Sequence, residues 1–407
     1  MILPLRFLLL ALALGMSTAT AMAAPAADEQ LEQVILLSRH NLRAPVVASG
    51  ALANATPETW PHWEVAPGEL TTKGGVLEVY TGRYMGQWLR QAQLLPATGC
   101  PRPGDFHAHA NSLQRTQATA QFFVAGAFPG CHVAIEQRMP LGTMDPLFNP
   151  VIHNEDTAFR ERALSAMRQA LAASDLTPAL TVVEQITRYP QSAACTGRSE
   201  CHLALAETTF SAEPGKEPRA SGSLALASGL VDALLMEHYQ GSGIPREGWG
   251  RLNNEAQWQA LAQIRNRYQD ILFGTPEVAR DVAAPLLEQV SELLEDPASP
   301  KVTLLVGHDS NIGSVLAALG VADYTLPGQY EKTPIGGLLQ FERWRERRSG
   351  VERFRLSYVY PTTAQLRDAQ PLTKAQPPGR VALSLPGCDG QGCSSAQFQQ
   401  LLRRARR

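Results

Sequence analysis

The stretch VILLSRHNLRAP, residues 34–45, decides the fold because it joins an apolar run to a dense group of polar side chains. Residues 34–37 are all apolar, which is typical of a strand buried on both faces of a parallel sheet. Arg39, His40 and Arg43 follow directly after this run. Ligands of open α/β sheets bind at the carboxyl ends of the strands. The stretch therefore predicts an α/β sheet with an anion-binding site at the end of this strand.

The same pattern of strand followed by helix occurs near both ends of the chain. Residues 105–110 predict a strand that leads into a helix after Ser112, and residues 301–306 predict another that leads into a helix over residues 312–319. A helix is expected over residues 75–93. This alternation of strands and helices is typical of βαβ units.

The middle of the chain has a different periodicity. From about residue 158 to residue 296 the apolar residues recur at helical spacing, and two late strands are predicted at residues 336–342 and 351–360. We therefore expect a mixed, mainly parallel sheet flanked by helices, with an inserted all-helical domain. The sheet domain would comprise residues 24–157 and 298–407, and the insertion residues 158–297.

The amino terminus resembles an export signal. It has one positive charge at Arg6, an apolar stretch over residues 7–14 and small residues up to Ala24. This order predicts a signal peptide over residues 1–23, cleaved near Ala23. No later segment has the roughly 20 apolar residues that a spanning helix needs, so we expect no membrane association after cleavage.

The six cysteines favour disulfides, because an even number in an exported chain is typical of oxidised pairs. No two of them form a C-x-x-C motif, which argues against a zinc site, and we expect no metal and no cofactor. The formal net charge of −2 argues against nucleic-acid binding. Pairing by proximity in sequence predicts Cys100–Cys131, Cys195–Cys201 and Cys388–Cys393.

Three groups of polar residues each follow a predicted strand. They are residues 39–43, 111–115 and 308–311, with sequences RHNLR, NSLQR and HDSN. If the strands are parallel neighbours, all three groups meet at one edge of the sheet. Each also has a structural interpretation: Arg39 and His40 as a surface or capping pair, and His308 with Asp309 as a helix cap. Arg115 would oppose a helix dipole, which favours ligand binding.

Taken together, these residue types predict phosphoryl transfer. The guanidinium groups of Arg39, Arg43 and Arg115 match phosphate oxygens. His40 could attack phosphorus to form a phosphohistidine, and Asp309 could protonate the leaving oxygen if it is held in the neutral form. Another pair, His107 and His109, shares one face of a strand and is interpreted as structural.

The motif R-H-x-x-R-x-P with a late H-D resembles the histidine acid phosphatases, the largely exported branch of the histidine phosphatase superfamily. The segments LTTKGGVLEVY, FFVAGAFPGC, GTMDPLFNPVI and TPIGG are similar to the periplasmic glucose-1-phosphatase branch of that family. The resemblance implies a six-stranded α/β domain with a helical insertion and a site in the cleft between them. It also implies the same three cysteine pairs.

By this resemblance, His40 is the nucleophile and Asp309 the proton donor, while Arg39, Arg43, Arg115 and His308 hold the phosphate. Glu217, in KEPRASG, would accept hydrogen bonds from sugar hydroxyls. Asn41 stands where most of the family has glycine, although the glucose-1-phosphatase branch shares the asparagine. We expect its side chain to narrow the pocket and to disfavour highly phosphorylated substrates.

The leading hypothesis is therefore a periplasmic phosphomonoesterase that acts on a small phosphate ester, glucose 1-phosphate. A phytase that acts on inositol hexakisphosphate is the alternative, since the same core serves both activities. The slightly negative net charge of the chain disfavours this highly charged substrate. A non-catalytic sugar-phosphate binding protein would need the arginines but not both His40 and Asp309. The sequence does not predict an oligomeric state.

Overall fold

A computed structural model describes residues 28–46, 50–241 and 247–406. The predicted signal peptide at residues 1–23 lies outside these ranges. In the part of the chain that the structure describes, no helix is both long and apolar enough to cross a membrane.

The described residues contain strands at both ends of the chain and one short hairpin in the middle. The strands are β1 (Glu29–Arg39), β2 (Phe106–Ala110), β3 (Ile135–Glu136), β4 (Thr209–Ser211), β5 (Arg219–Ser221), β6 (Val302–Gly307), β7 (Leu338–Glu346), β8 (Glu352–Tyr360), β9 (Gly379–Ala382) and β10 (Cys393–Ser394).

The helices include the long series predicted for the middle of the chain. They are α1 (Ala51–Asn54), α2 (Thr72–Gln91), α3 (Gln114–Ala127), α4 (Thr157–Ala172), α5 (Thr177–Thr187), α6 (Ser223–Gln240), α7 (Glu255–Phe273), α8 (Pro276–Glu295), α9 (Asp309–Ala318), α10 (Thr363–Arg367) and α11 (Ser395–Ala405). Short 3₁₀ turns lie at Tyr189–Gln191, Ala193–Cys195, Leu205–Glu207 and Glu247–Gly250.

The main sheet has eight strands, in the order β10-β8-β7-β1-β6-β2-β3, with β9 also paired to β8. The strands β1, β6, β2 and β3 are parallel to one another, whereas β7, β8, β9 and β10 join by antiparallel pairs. This confirms a mixed sheet with a parallel core. The expectation of six strands was wrong, because the two-residue strands β3 and β10 extend both edges.

Strand β1 is longer than the predicted residues 34–37. Its amino-terminal half pairs with β7, where Arg345 donates a 2.7 Å hydrogen bond to Glu32. Arg355, on β8, reaches Glu29 at 2.8 Å. Cross-strand ion pairs therefore accompany a part of the strand that lacks an apolar pattern.

The described residues form three apolar clusters. One lies between the sheet and α2 and α3, and a second lies on the opposite face under α8, α9 and α11. The third is formed by α4 to α7. Helix α8 contributes to two of them, because Val278 and Val282 pack among the helices and Leu287 packs against the sheet. This favours a domain boundary within α8, and the predicted boundary at residue 297 stays a prediction.

All three predicted disulfides are present, which confirms the pairing by proximity. The bonds join Cys100 to Cys131, Cys195 to Cys201 and Cys388 to Cys393. The first closes the longest loop, with a sequence separation of 31 residues.

Candidate active site

The parallel register of β1 and β6 brings two of the predicted groups together. Arg39 and Gly307 are paired at the carboxyl ends of these strands, and the backbone N–H of His40 donates to the Gly307 carbonyl at 3.0 Å. A side chain at Gly307 would collide with Asn311 Oδ1 at 2.5 Å and with the Phe148 ring. Glycine at this position therefore leaves room for the Asn311 side chain and the Phe148 ring at the end of β6.

His40 is 3% exposed and has one defined tautomer. Its Nδ1 lies 2.8 Å from the backbone carbonyl of Asn41, and a carbonyl only accepts, so Nδ1 carries the proton. Burial and the Arg115 cation lower the pKa of His40 well below its ordinary value. The ring is therefore neutral, and its Nε2 lone pair is available to attack an electrophile.

His308 lies beside His40, with 5.6 Å between the ring centroids. The Asn111 amide nitrogen donates to His308 Nε2 at 2.7 Å. The orientation of that amide is fixed, because its oxygen accepts from the backbone N–H groups of Ser112 and Asp145. Burial lowers the pKa of His308 to about 3, so the proton of this neutral ring is on Nδ1.

Two of the predicted phosphate-binding arginines are held by carboxylates. Arg39 ends β1, is 1% exposed, and contacts Glu331 at 2.9 Å and Asp309 at 3.4 Å. Arg43 reaches both carboxylate oxygens of Asp232, on α6, at 2.9 Å. These pairs fix the direction of both guanidinium groups.

Arg115 differs from the other two predicted arginines. Within the described ranges it forms no ion pair with a carboxylate, whereas Arg39 and Arg43 both do. Its Nε atom, like that of Arg39, is buried without a hydrogen-bond partner in this part of the chain. Burial and the Arg43 cation lower its pKa to about 10, so it still carries a charge near neutral pH. The site thus has a desolvated cation that no carboxylate of the described residues contacts, and an anionic ligand would stabilise it.

Asp309 is the first residue of α9, and three side chains contact one oxygen of its carboxylate. Arg265 Nη2 lies 2.6 Å from Oδ2, Gln269 Nε2 lies 3.1 Å from it and Arg39 Nη2 lies 3.4 Å from it. Burial by itself would raise the pKa of Asp309, but Arg39 and Arg265 hold it well below its ordinary value. Asp309 is ionised while the site contains no substrate.

Glu217 lies in the connection between β4 and β5 and is half-buried. Burial raises its pKa, and the Asp309 carboxylate contributes to this shift, whereas Arg219 and Arg115 oppose it. The charges of Asp309 and Arg115 therefore act on Glu217.

Several side chains of the site have no motif in the sequence. Arg265 and Gln269 are one helical turn apart on α7 and both face Asp309. An i, i+4 spacing places residues on one face of a helix but does not show what that face meets. The residues that sequence analysis missed are Asp232, Arg265, Gln269 and Glu331.

The expectation for Asn41 was wrong. Its side chain is fully buried and hydrogen-bonds to Glu78 on α2 at 2.7 Å, and its amide lies against Gly336. Because Asn41 faces α2 and not the arginines, it does not narrow the pocket.

The strand pair His107 and His109 fits its structural interpretation. His107 Nε2 lies 3.0 Å from Glu136, and His109 Nε2 lies 2.8 Å from the buried Asp145. Across residues 28–46, 50–241 and 247–406, no three His, Cys, Asp or Glu side chains are grouped so that they could hold a metal ion.

A neutral histidine among arginines at the ends of parallel strands is suited to phosphoryl transfer, because the guanidinium groups match phosphate oxygens and the histidine can act as a nucleophile. The chain belongs to the histidine phosphatase superfamily, branch 2, whose family model matches residues 30–359. Together with the family match, this defines the chain as a phosphoric monoester hydrolase.

Known relatives extend over almost the whole chain. It is 46% identical to the glucose-1-phosphatase of Salmonella typhimurium, with 92% of each chain covered. It is 40% identical to the glucose-1-phosphatase of Providencia rettgeri, with 93% of each covered. Among solved structures, the phytase of Citrobacter braakii superposes with a TM-score of 0.86 at 30% identity, covering 93% of this chain and 98% of the phytase.

Proposed function

We propose that this protein is an exported acid phosphomonoesterase that hydrolyses glucose 1-phosphate through a phosphohistidine on His40. The observation that carries the proposal is Arg115, a partly buried cation without a carboxylate partner among the described residues, whose charge acts on the neutral ring of His40. A bound phosphoryl group would supply the missing negative charge at the point where the nucleophile can reach phosphorus.

In the first step, the Nε2 lone pair of His40 forms a bond to phosphorus while the bond from phosphorus to the sugar oxygen breaks. Asp309 gives its proton to that oxygen, and the free sugar leaves. In the second step, the Asp309 carboxylate takes a proton from water, and the water oxygen attacks phosphorus. The phosphorus–nitrogen bond breaks, phosphate is released and His40 returns to its neutral form.

Substrate binding supplies the condition under which Asp309 can act as an acid. The incoming phosphoryl group is negative and takes hydrogen bonds from arginines that would otherwise stabilise the Asp309 carboxylate. Both effects raise the pKa of Asp309 above its low value in the free site. We therefore expect the greatest activity at acidic pH, where proton uptake on binding costs least.

Selectivity for a neutral sugar follows from Glu217. A half-buried carboxylate can accept hydrogen bonds from sugar hydroxyls, and in its ionised form it repels the additional phosphates of phytate. The structural similarity to a Citrobacter braakii phytase keeps phytate hydrolysis as the second candidate function. A non-catalytic carrier of sugar phosphates is disfavoured, because it would need neither His40 nor Asp309.

The substrate is tested by comparing kcat/KM for glucose 1-phosphate and for phytate on the purified mature protein. We expect glucose 1-phosphate to be favoured by at least about tenfold, equal to about 1.4 kcal/mol of transition-state binding. Glu217→Ala should lower the ratio of the two kcat/KM values, chiefly by reducing kcat/KM for glucose 1-phosphate. A higher value for phytate in the wild type would replace this proposal by the phytase alternative.

We also propose that the mature chain is exported to the periplasm. The signal-like sequence of residues 1–23 and the three disulfides support this location, because such bonds persist in oxidising compartments. Release of the activity by osmotic shock of the outer envelope would test it, and activity confined to the cytoplasmic fraction would contradict it.

A further inference from the structure

Glu78 is a buried carboxyl group beneath the loop that carries His40. It lies on α2 and is 1% exposed. Its Oε2 accepts a 2.7 Å hydrogen bond from the Asn41 amide nitrogen, and its Oε1 is buried without a partner among the described residues. Burying a carboxyl group costs free energy, and an apolar side chain would avoid that cost.

The hydrogen bond to Glu78 is one of four that hold Asn41 in place. The side-chain oxygen of Asn41 accepts from the backbone N–H of Leu42 at 2.8 Å, and its own backbone N–H donates to Thr119 Oγ1 at 3.1 Å. Its backbone carbonyl accepts from His40 Nδ1 at 2.8 Å. Every polar group of Asn41 therefore has a partner, which fixes the direction of its peptide group.

That carbonyl determines how the nucleophile is presented. It holds the His40 proton on Nδ1 and so leaves Nε2 free, and it also sets the direction in which the ring points. A rotation of the Asn41 peptide would move the Nε2 lone pair away from the phosphorus, and small errors of alignment in a bound reactant are costly in rate.

We propose that Glu78 is a positioning residue of the reaction, which orients the His40 ring through the Asn41 side chain and backbone carbonyl. The proposal rests on the proposed role of His40 as nucleophile, and it extends that role to a carboxyl group on the far side of the loop. It also gives Asn41 a function that is consistent with its complete burial.

The test uses p-nitrophenyl phosphate, whose hydrolysis does not depend on sugar recognition. Glu78→Gln retains an oxygen that can accept from Asn41, and we expect its kcat to stay within twofold of the wild type. Glu78→Leu removes the acceptor, and we expect kcat and the rate of phosphohistidine formation to fall about tenfold with KM unchanged within twofold.

Asn41→Ala removes the same link from its other end, so it should reproduce the fall in kcat even if Glu78→Leu does not fold. In the double variant, Glu78→Leu should cause no further loss beyond that of Asn41→Ala. Wild-type kcat in either single variant, or additive losses in the double variant, would overturn the proposal.

These outcomes are separate from the tests of the proposed function. If the wild-type protein hydrolyses p-nitrophenyl phosphate but not glucose 1-phosphate, the proposed substrate fails and the role of Glu78 is still measurable. If His40→Ala retains activity, the assignment of His40 as the nucleophile is wrong and the proposal for Glu78 is wrong with it.

Discussion

Arg265, on α7, donates a 2.6 Å hydrogen bond to Asp309, the first residue of α9. Arg265 belongs to the helical part of the chain, whereas Asp309 follows the sheet strand β6. The charge of the proposed proton donor therefore depends on a residue of α7 as well as on Arg39.

Replacing Arg265 should change the pH dependence of the reaction. Arg265→Gln removes a cation that lowers the pKa of Asp309, so this pKa rises and Asp309 remains protonated to higher pH. We expect the pH at which kcat for glucose 1-phosphate falls on the alkaline side to move to a higher value. The matched control is Arg267→Gln, which changes an exposed arginine of the same helix that pairs with Asp270. A shift toward lower pH would contradict this role of Arg265.

Removing the proposed proton donor should affect substrates according to their leaving groups. Asp309→Asn should lower kcat/KM for glucose 1-phosphate about a hundredfold, because a sugar oxygen needs a proton to leave. The loss for p-nitrophenyl phosphate should be below about tenfold, since nitrophenolate leaves with little assistance. Steady-state kinetics on both substrates measure the difference. Equal losses would show that Asp309 acts in another way.

Removing the nucleophile should abolish turnover while the fold is retained. We expect His40→Ala to lose at least about a thousandfold in kcat with an unchanged circular dichroism spectrum. Acid quenching of the wild type with labelled substrate should trap phosphate on His40. His107→Ala serves as the control, because that histidine is 39% exposed and pairs with Glu136 outside the arginine group. Substantial residual activity in His40→Ala would assign the attack to a different group.

The buried carboxyl group of Glu78 should make stability depend on pH. Burial raises its pKa in the folded protein from 4.5 to about 8, so between these values the folded chain holds a proton that the unfolded chain has released. The contribution of this group to the free energy of unfolding therefore falls as pH rises, by about 1.4 kcal/mol per pH unit. Urea unfolding of wild type and Glu78→Gln at pH 5, 6 and 7 measures it. We expect the variant to lack this component, and identical slopes would contradict the prediction.

The three disulfides should contribute unequally to stability. By loop-closure entropy, the loop of Cys100–Cys131 is worth about 3.7 kcal/mol and that of Cys195–Cys201 about 2.2 kcal/mol. Replacing Cys100 and Cys131 by serine should therefore reduce the free energy of unfolding more than replacing Cys195 and Cys201. Denaturant unfolding of both double variants compares them, and the reverse order would show that local packing dominates.

The fold could be predicted where periodicity alone determines it. The apolar residues 34–37 and the mostly apolar residues 302–306 identified β1 and β6 because these segments are buried on both faces, and the helices α4 to α8 followed from their spacing. The amino-terminal part of β1 was missed, since its contacts are ion pairs to residues more than 300 positions away.

The site could be predicted only in part, for a physical reason. The sequence identified the residues at the ends of strands, such as Arg39 and His308, because topology brings strand ends together. Arg265 lies in the middle of an amphipathic helix, and only the docking of α7 shows that it meets Asp309. The direction of Asn41 was predicted wrongly, because consecutive residues of a loop can face opposite sides and their order in sequence does not indicate which.

The parallel pairing of Val34 with Val302 also has a consequence for biosynthesis. The ribosome produces the proposed nucleophile, His40, long before strand β6 and the proposed proton donor, Asp309, which follow more than 260 residues later. Pairing between such distant segments forms slowly, and slow folding would favour the proposed export of the chain before it folds. A product of interrupted translation that ends before residue 309 contains the proposed nucleophile but not the proposed acid, so we expect it to have no phosphatase activity.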